Sequence, residues 1–232
     1  MPQLMAHLRK LFGWIDLMII LDQPKKLIMK KLSLLLISIF AVIAAHAQAL
    51  DSASVKFAKV LDDGKMVFSM PPDFVQTPIV KNMQMHYEFA VKSVDKPYEI
   101  RYSVSPMTNK SLAGMYDKKD KSGEEFTAKV ISMSVAINVG GGVRDPNIRF
   151  GQFPPDHVKK EFGADWGGNW LIPVSNNSFG TEYKYCAMTV LHKSGAADAY
   201  IMYLCNSKED LLTLMKENMK VDGLFYALKF KE

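Results

Sequence analysis

MQMHYEFAVKSVDKPYEIRYSVS, Met83 to Ser105, is apolar at every second residue through two consecutive runs. Met83, Met85, Tyr87, Phe89 and Val91 make the first set, and Tyr98, Ile100, Tyr102 and Val104 the second. Period-two alternation of this kind belongs to strands with one buried face, and the turn residues between the runs make them a hairpin. Placing Val91 opposite Tyr98 sets Phe89 against Ile100 and Tyr87 against Tyr102. It also gives Glu88 an opposite-charge partner in Arg101. A slip of one residue would turn every apolar side chain to water, so the pairing is well specified.

Before this pair, an earlier hairpin is expected from Val55–Leu61 and Lys65–Met70 around Asp62-Asp63-Gly64, ended by Pro71-Pro72. The charge run MYDKKDKSGEE, Met115 to Glu125, reads as a solvated loop. Ser122 and Glu125 then have capping-box spacing, and Phe126, Val130, Met133 and Ile137 fall on one helical face. A strand is the competing reading, because Ile131, Met133, Val135, Ile137 and Val139 also alternate. Gly140-Gly141-Gly142 lacks the Lys-Ser/Thr ending of a phosphate-cradling loop and reads as a plain loop. A short helix should start at Pro155, bury Val158 and Phe162, and stop at Gly163. Two long strands, Tyr183–His192 and Ala199–Cys205, are rich in apolar residues on both faces and should be covered on both. Ser207 caps a last helix with Leu211, Leu214, Met215 and Met219 inward, Gly223 ends it, and Leu224–Phe230 closes the sheet. The fold class is α+β, a mainly antiparallel sheet flanked by helices, in a single domain.

Val67-Phe68-Ser69-Met70-Pro71-Pro72-Asp73-Phe74, a strand followed by a Pro-x-x-aromatic step, and the strand, strand, helix, strand run from Tyr183 to Phe230 resemble the PsbP/Mog1-like group of α+β domains. The resemblance spans about two thirds of residues 48–232 and has no counterpart for Phe150 to Asn177. It implies an accessory or binding protein and carries no catalytic residue over.

Near the start, Met29-Lys30-Lys31, the apolar run Leu32 to Ala45 and Ala45-His46-Ala47 have the order of a cleaved export leader. The apolar run is shorter than the ~20 residues a spanning helix needs. Residues 1–28 are then an extended leader or precede the real start at Met29, residues 29–47 are the signal peptide, and 48–232 the domain. The product is expected in the periplasm or outside the cell, with no stable membrane span. Of 29 basic and 24 acidic residues, six and two lie in residues 1–47, leaving 23 and 22. Without a basic excess there is little to neutralise phosphates, which argues against a nucleic-acid partner.

Chemistry-bearing residues are sparse. If Lys193 faces Asp198 across a four-residue loop, Cys186 lies opposite Cys205, within disulfide reach, and a bridge would contribute about 3 kcal/mol. Two buried free thiols are the other reading. A Cys186–His192 nucleophile pair fails, since six residues along a strand span about 20 Å. His86 and His157 are scattered, so neither metal ligands nor a cofactor site are expected. In FPPDHVKKEFGADWGGNW, Phe153 to Trp170, the tryptophans Trp166 and Trp170 flank Gly167-Gly168-Asn169 on what reads as a flexible loop. They either plug the loop onto the core or stack a sugar or clasp a peptide, with Asp165 and Asn169 as polar partners. Three functions follow: a non-catalytic binding or accessory domain for an extracytoplasmic protein, peptide or glycan; a hydrolase using carboxylates such as Asp156, Glu161 and Asp165; or a structural envelope protein.

Overall fold

The computed structural model describes residues 52–108, 122–142, 145–175, 177–180, 182–218 and 223–232. These belong to one unit, Ala49–Glu232. The expected leader at 29–47, the stretch 1–28, most of the charge run after Met115, and Met219 lie outside the described residues.

Period-two patterning wins over most of the chain. Strands β2 (Phe74–Gln76), β3 (Phe89–Ser93), β4 (Glu99–Pro106), β5 (Arg149–Gln152), β6 (Trp166–Pro173), β7 (Tyr185–Lys193) and β8 (Ala197–Cys205) form a seven-stranded sheet ordered β2-β3-β4-β8-β7-β6-β5. Every pairing in it is antiparallel. β1 (Met66–Phe68) pairs antiparallel with β9 (Leu228–Phe230) as a separate ribbon joining the two ends of the domain. Helix α1 (52–63), α3 (Pro155–Phe162) and α5 (Lys208–Asn218) cover one face of the large sheet with that ribbon. Helix α2 (Ser122–Val139) and the short α4 (Asn177–Gly180) cover the other. The result is the expected α+β class, an antiparallel sheet flanked by helices. β7 and β8 are buried on both faces, as their composition requires. Among the described residues no helix is long and apolar enough to cross a membrane.

Four expectations are corrected. Residues 52–63 are helix, because Ala53, Phe57, Val60 and Leu61 recur at helical spacing and Phe57 stacks on Phe89 at 4.7 Å. The β3–β4 hairpin keeps its apolar face but is displaced by two residues. Val91 faces Ile100 and Phe89 faces Tyr102, so Glu88 instead accepts the Val104 N–H at 3.0 Å. The stretch from Phe150 is no loop: Trp166, Gly168, Trp170 and Ile172 alternate along β6.

The fourth correction concerns sulfur. The β7–β8 connection closes over Ser194-Gly195-Ala196 with Gly195 in the left-handed region, φ 68°, and Lys193 faces Ala197 rather than Asp198. A three-residue loop of this kind takes a glycine at its left-handed position. One residue less in the loop inverts the faces, so Cys186 stands opposite Leu204 and Cys205 opposite Tyr185. Both cysteines are free and buried, with no bridge between them. Burial pushes the Cys205 thiol up to about 12 and the Cys186 thiol higher.

Candidate functional site

An exposed apolar surface gathers around α2 and the sheet end it covers. The helix forms where the capping spacing predicts, but its inward face is Ala128, Ser132, Val135, Ala136 and Val139. Small residues at 128, 132 and 136 let the backbone approach the sheet closely. The larger stripe faces out: Phe126 is 69%, Val130 40% and Met133 46% exposed. Isolated exposed apolar residues are ordinary, whereas three on one helical stripe beside a groove form a contiguous surface.

That groove, about 310 Å³, lies between Lys129, Val130, Ser132 and Met133 of α2 and Phe150, Gln152, Trp166 and Trp170 of the sheet. Phe150 sits between the two tryptophans, its ring centroid 5.9 Å from Trp166 and 4.7 Å from Trp170. Gly168 makes this possible, for a Cβ there would stand 2.5 Å from the Phe150 ring and 2.9 Å from the Gly151 carbonyl oxygen. Trp170 donates its Nε1–H to Ser132 Oγ at 3.1 Å, and Lys129 Nζ lies 5.3 Å from the centre of the Trp166 ring. Trp166 is the floor, almost wholly buried, while Phe150 and Trp170 form the accessible wall.

Of the residues singled out in the sequence, the structure unites Trp166 and Trp170. Asp165 is exposed before β6 and accepts the Ser194 N–H at 2.9 Å. Asn169 points to the opposite face, buried, with its side-chain oxygen unpartnered among the described residues. Neither lines the groove. Phe150, and the outward orientation of the α2 stripe, escaped sequence reading. Their signal lay in the tryptophan, glycine, tryptophan alternation, which marks a strand whose glycine receives a ring from its neighbour.

A second groove, about 430 Å³, opens on the other face between α5 and β5–β7. Leu171, Pro173, Tyr185 and Leu211 form its apolar lining, with Arg149 and Lys208 at the rim. β5 separates the two grooves.

One buried cluster has the composition of a catalytic relay. His192 and Asp198, buried opposite each other on β7 and β8, share a 2.6 Å contact between Nδ1 and Oδ1, and Ser194 Oγ lies 3.4 Å from Nε2. The order of groups matches a hydroxyl relay. Its surroundings do not: the nearby Ser194 and Gly195 N–H groups donate to the Asp165 and Glu124 carboxylates, and the imidazole is fully enclosed. Donors aimed at developing negative charge would have to be free. The constellation ties the hairpin to α2 and the β6 entry. Asp156 and Glu161 sit at opposite ends of α3, and with Asp165 they line neither groove. Among the described residues no group of three or more His, Cys, Asp or Glu is placed to hold a metal ion.

No family model matches the chain, and no curated protein matches it by sequence. Several solved structures resemble it. The cyanobacterial PsbP protein CyanoP from Synechocystis aligns over 73% of this chain and 88% of its own, at 11% identity and a TM-score of 0.42. A variant of the protein Mog1 aligns over 71% of this chain and 90% of its own, at 11% identity and a TM-score of 0.32. The Ran-binding protein Mog1p of Saccharomyces cerevisiae aligns over 66% of this chain and 78% of its own, at 10% identity and a TM-score of 0.31. The chain thus bears a weak likeness in fold to the PsbP/Mog1-like α+β proteins.

Proposed function

We propose that this chain is an exported, periplasmic or secreted, non-catalytic binding domain that takes an apolar segment of a protein partner at the aromatic groove beside α2. The observation that carries the reading is the outward stripe Phe126, Val130 and Met133, opening onto a groove walled by Phe150 and Trp170. Aromatic residues and Met are enriched at protein interfaces, and Trp among their energetic centres. A glycan is favoured less. Sugars need converging hydrogen-bond groups beside the stacking ring, and Ser132 Oγ here already donates to its own helix and accepts from Trp170. The leader at 29–47 supports export, and the enclosed histidine with its occupied amides supports the absence of catalysis at that constellation.

The test is photo-crosslinking in the native cell. A photoreactive phenylalanine analogue replaces Val130 or Met133, with exposed Val55 on α1 as the control position. A discrete protein adduct formed from the α2 positions and absent from the control is expected, on a product whose mass begins after Ala47. Identical adduct patterns at all three positions, or a product retaining Met1, would overturn the groove or the export reading respectively.

A further inference from the structure

The sheet ends at β5, and among the described residues nothing pairs with that strand's outer edge. All four residues of β5 are exposed. Phe153 donates its N–H to the Gly167 carbonyl at 3.0 Å, which makes 153 and 167 a hydrogen-bonded pair. Such pairs alternate along an antiparallel ladder, so Gly151 and Arg149 bond inward to β6 while Phe150 and Gln152 turn their N–H and C=O groups outward. Two outward donors and two outward acceptors therefore stand between the grooves.

The same strand supplies both grooves with side chains. Phe150 and Gln152 belong to the aromatic groove on the α2 face, and Arg149 to the groove on the α5 face. Gly151 adds no side chain, and a Cβ there would meet nothing within 4 Å. Arg149 and Lys208 have no carboxylate partner among the described residues; Asp145, four residues before Arg149, accepts the Asn147 backbone and side-chain amides through Oδ1.

We propose that the outer edge of β5 accepts an extended segment of a partner protein as a further strand, its alternate side chains entering the two grooves. This rests on the binding reading above and names its mode. Main-chain bonds to Phe150 and Gln152 hold the segment, and the alternation reads its sequence. Residues on one side of the segment are apolar and meet Phe150, Trp170 and Met133. On the other side a carboxylate meets Arg149 and Lys208, whose charges select it. A second copy of this chain fits less well, because edge-to-edge pairing would bring a second Arg149 to the same edge, and β5 itself carries no acid to meet it.

Short random peptides displayed on phage and selected on the full exported product provide the probe. Enriched sequences should carry apolar residues at every second position and an acid between them. Gln152→Pro removes an outward N–H while sparing the ladder to β6, a position on an edge strand where a sheet tolerates proline. It should weaken the enriched peptides by roughly tenfold or more, and by clearly more than Gln152→Ala, which trims the groove lining but keeps the outward N–H. Arg149→Glu should weaken acid-bearing peptides by a similar factor. If Gln152→Pro unfolds, backbone N-methylation of the selected peptide at its pairing positions replaces it, with the same loss expected. Peptides of helical spacing, blocked by Met133→Asp but indifferent to Gln152→Pro, would overturn the edge and spare the groove. Absence of any enriched peptide, or binding indifferent to all these changes, overturns both. Self-association abolished by Gln152→Pro would assign the edge to a second copy and overturn the partner.

Discussion

The two ends of the seven-stranded sheet hold aromatic clusters of similar size, and only one is sealed. At the β2–β4 end, Phe57, Phe68, Phe89 and Tyr102 interlock with centroids 4.7 to 6.4 Å apart beneath α1. At the edge strand β2, Ser54 of α1 donates to the Gln76 side chain, and after it Val80 donates its N–H to the Tyr87 hydroxyl at 2.7 Å. At the β5–β6 end, Trp166, Phe150 and Trp170 interlock as closely, but a helix roofs only part of them and Phe150 stays 39% exposed on the edge strand. α1 places its apolar residues on the sheet, whereas α2 places its small residues there and its large ones outside. Rings of equal stickiness serve as core at one end and as surface at the other.

The sealed end should break hardest. Arg101 lies buried between the rings of Tyr87 and Phe179, 5.0 and 4.9 Å from their centres, bonded at 2.6 Å to Glu99 and also to the Phe179 carbonyl. Arg101→Ala leaves a buried carboxylate and a carbonyl without a donor, and should cost about 3–5 kcal/mol in denaturant unfolding. Arg101→Met with Glu99→Gln should recover much of that loss. A cost below ~1 kcal/mol for Arg101→Ala would mean that this end is no more sealed than the other.

Next comes the hinge of the open cluster. Gly168→Ala must push the Phe150 ring out from between the tryptophans or shift the Gly151 carbonyl, a strain of about 1–3 kcal/mol. Tryptophan emission should move to longer wavelength as Trp166 gains contact with water. Unchanged emission with unchanged stability would show that the ring does not occupy that space.

How much of this contrast was legible in the sequence differs between the ends. The period-two runs from Phe89 to Val104 and from Tyr185 to Cys205 were legible as strands but not in register, which is off by two residues in β3–β4 and by one in β7–β8, and β4 buries its polar face of Glu99, Arg101 and Ser103 as well. Loop length is set by local backbone geometry, and there the reading was weakest. One residue in the β7–β8 loop decided whether Cys186 met Cys205 or His192 met Asp198. α2 was legible as a helix but not in orientation, because Ala128, Ser132 and Ala136 gain their place from close approach to the sheet, which no single-helix pattern reports. The groove was half legible: the two tryptophans drew attention, while Phe150 arrives from a neighbouring strand.

A smaller effect distinguishes the sealed end by pH. Glu88 accepts the Val104 N–H, and its carboxyl is raised above the ordinary glutamate range, chiefly by burial, against the lowering effects of that bond and of His86. A carboxyl raised in the folded state takes up a proton on folding. Stability therefore falls as pH rises from the unfolded glutamate range through the higher folded value. Glu88→Gln keeps an acceptor for Val104 and removes the slope. Its Tm should exceed that of the parent at neutral pH and match it at about pH 4. Equal Tm differences at both values would show that ionisation at this position has no part in stability.

The smallest change in stability belongs to the stripe on α2, and it carries the comparison furthest. Met133 is half exposed and contributes little to burial, so Met133→Asp should leave denaturant unfolding within ~0.5 kcal/mol of the parent. The same carboxylate would stand at the mouth of the aromatic groove, where a bound apolar segment would have to desolvate it, so partner capture should fall by roughly tenfold or more. Placed instead at Val55, on the outer face of α1 at the sealed end, an aspartate should alter neither quantity. Loss of stability at Met133 with capture intact would mean that the α2 stripe is core in the working protein. The two ends of the sheet would then be alike, and the asymmetry that locates function at β5 would vanish with the contrast.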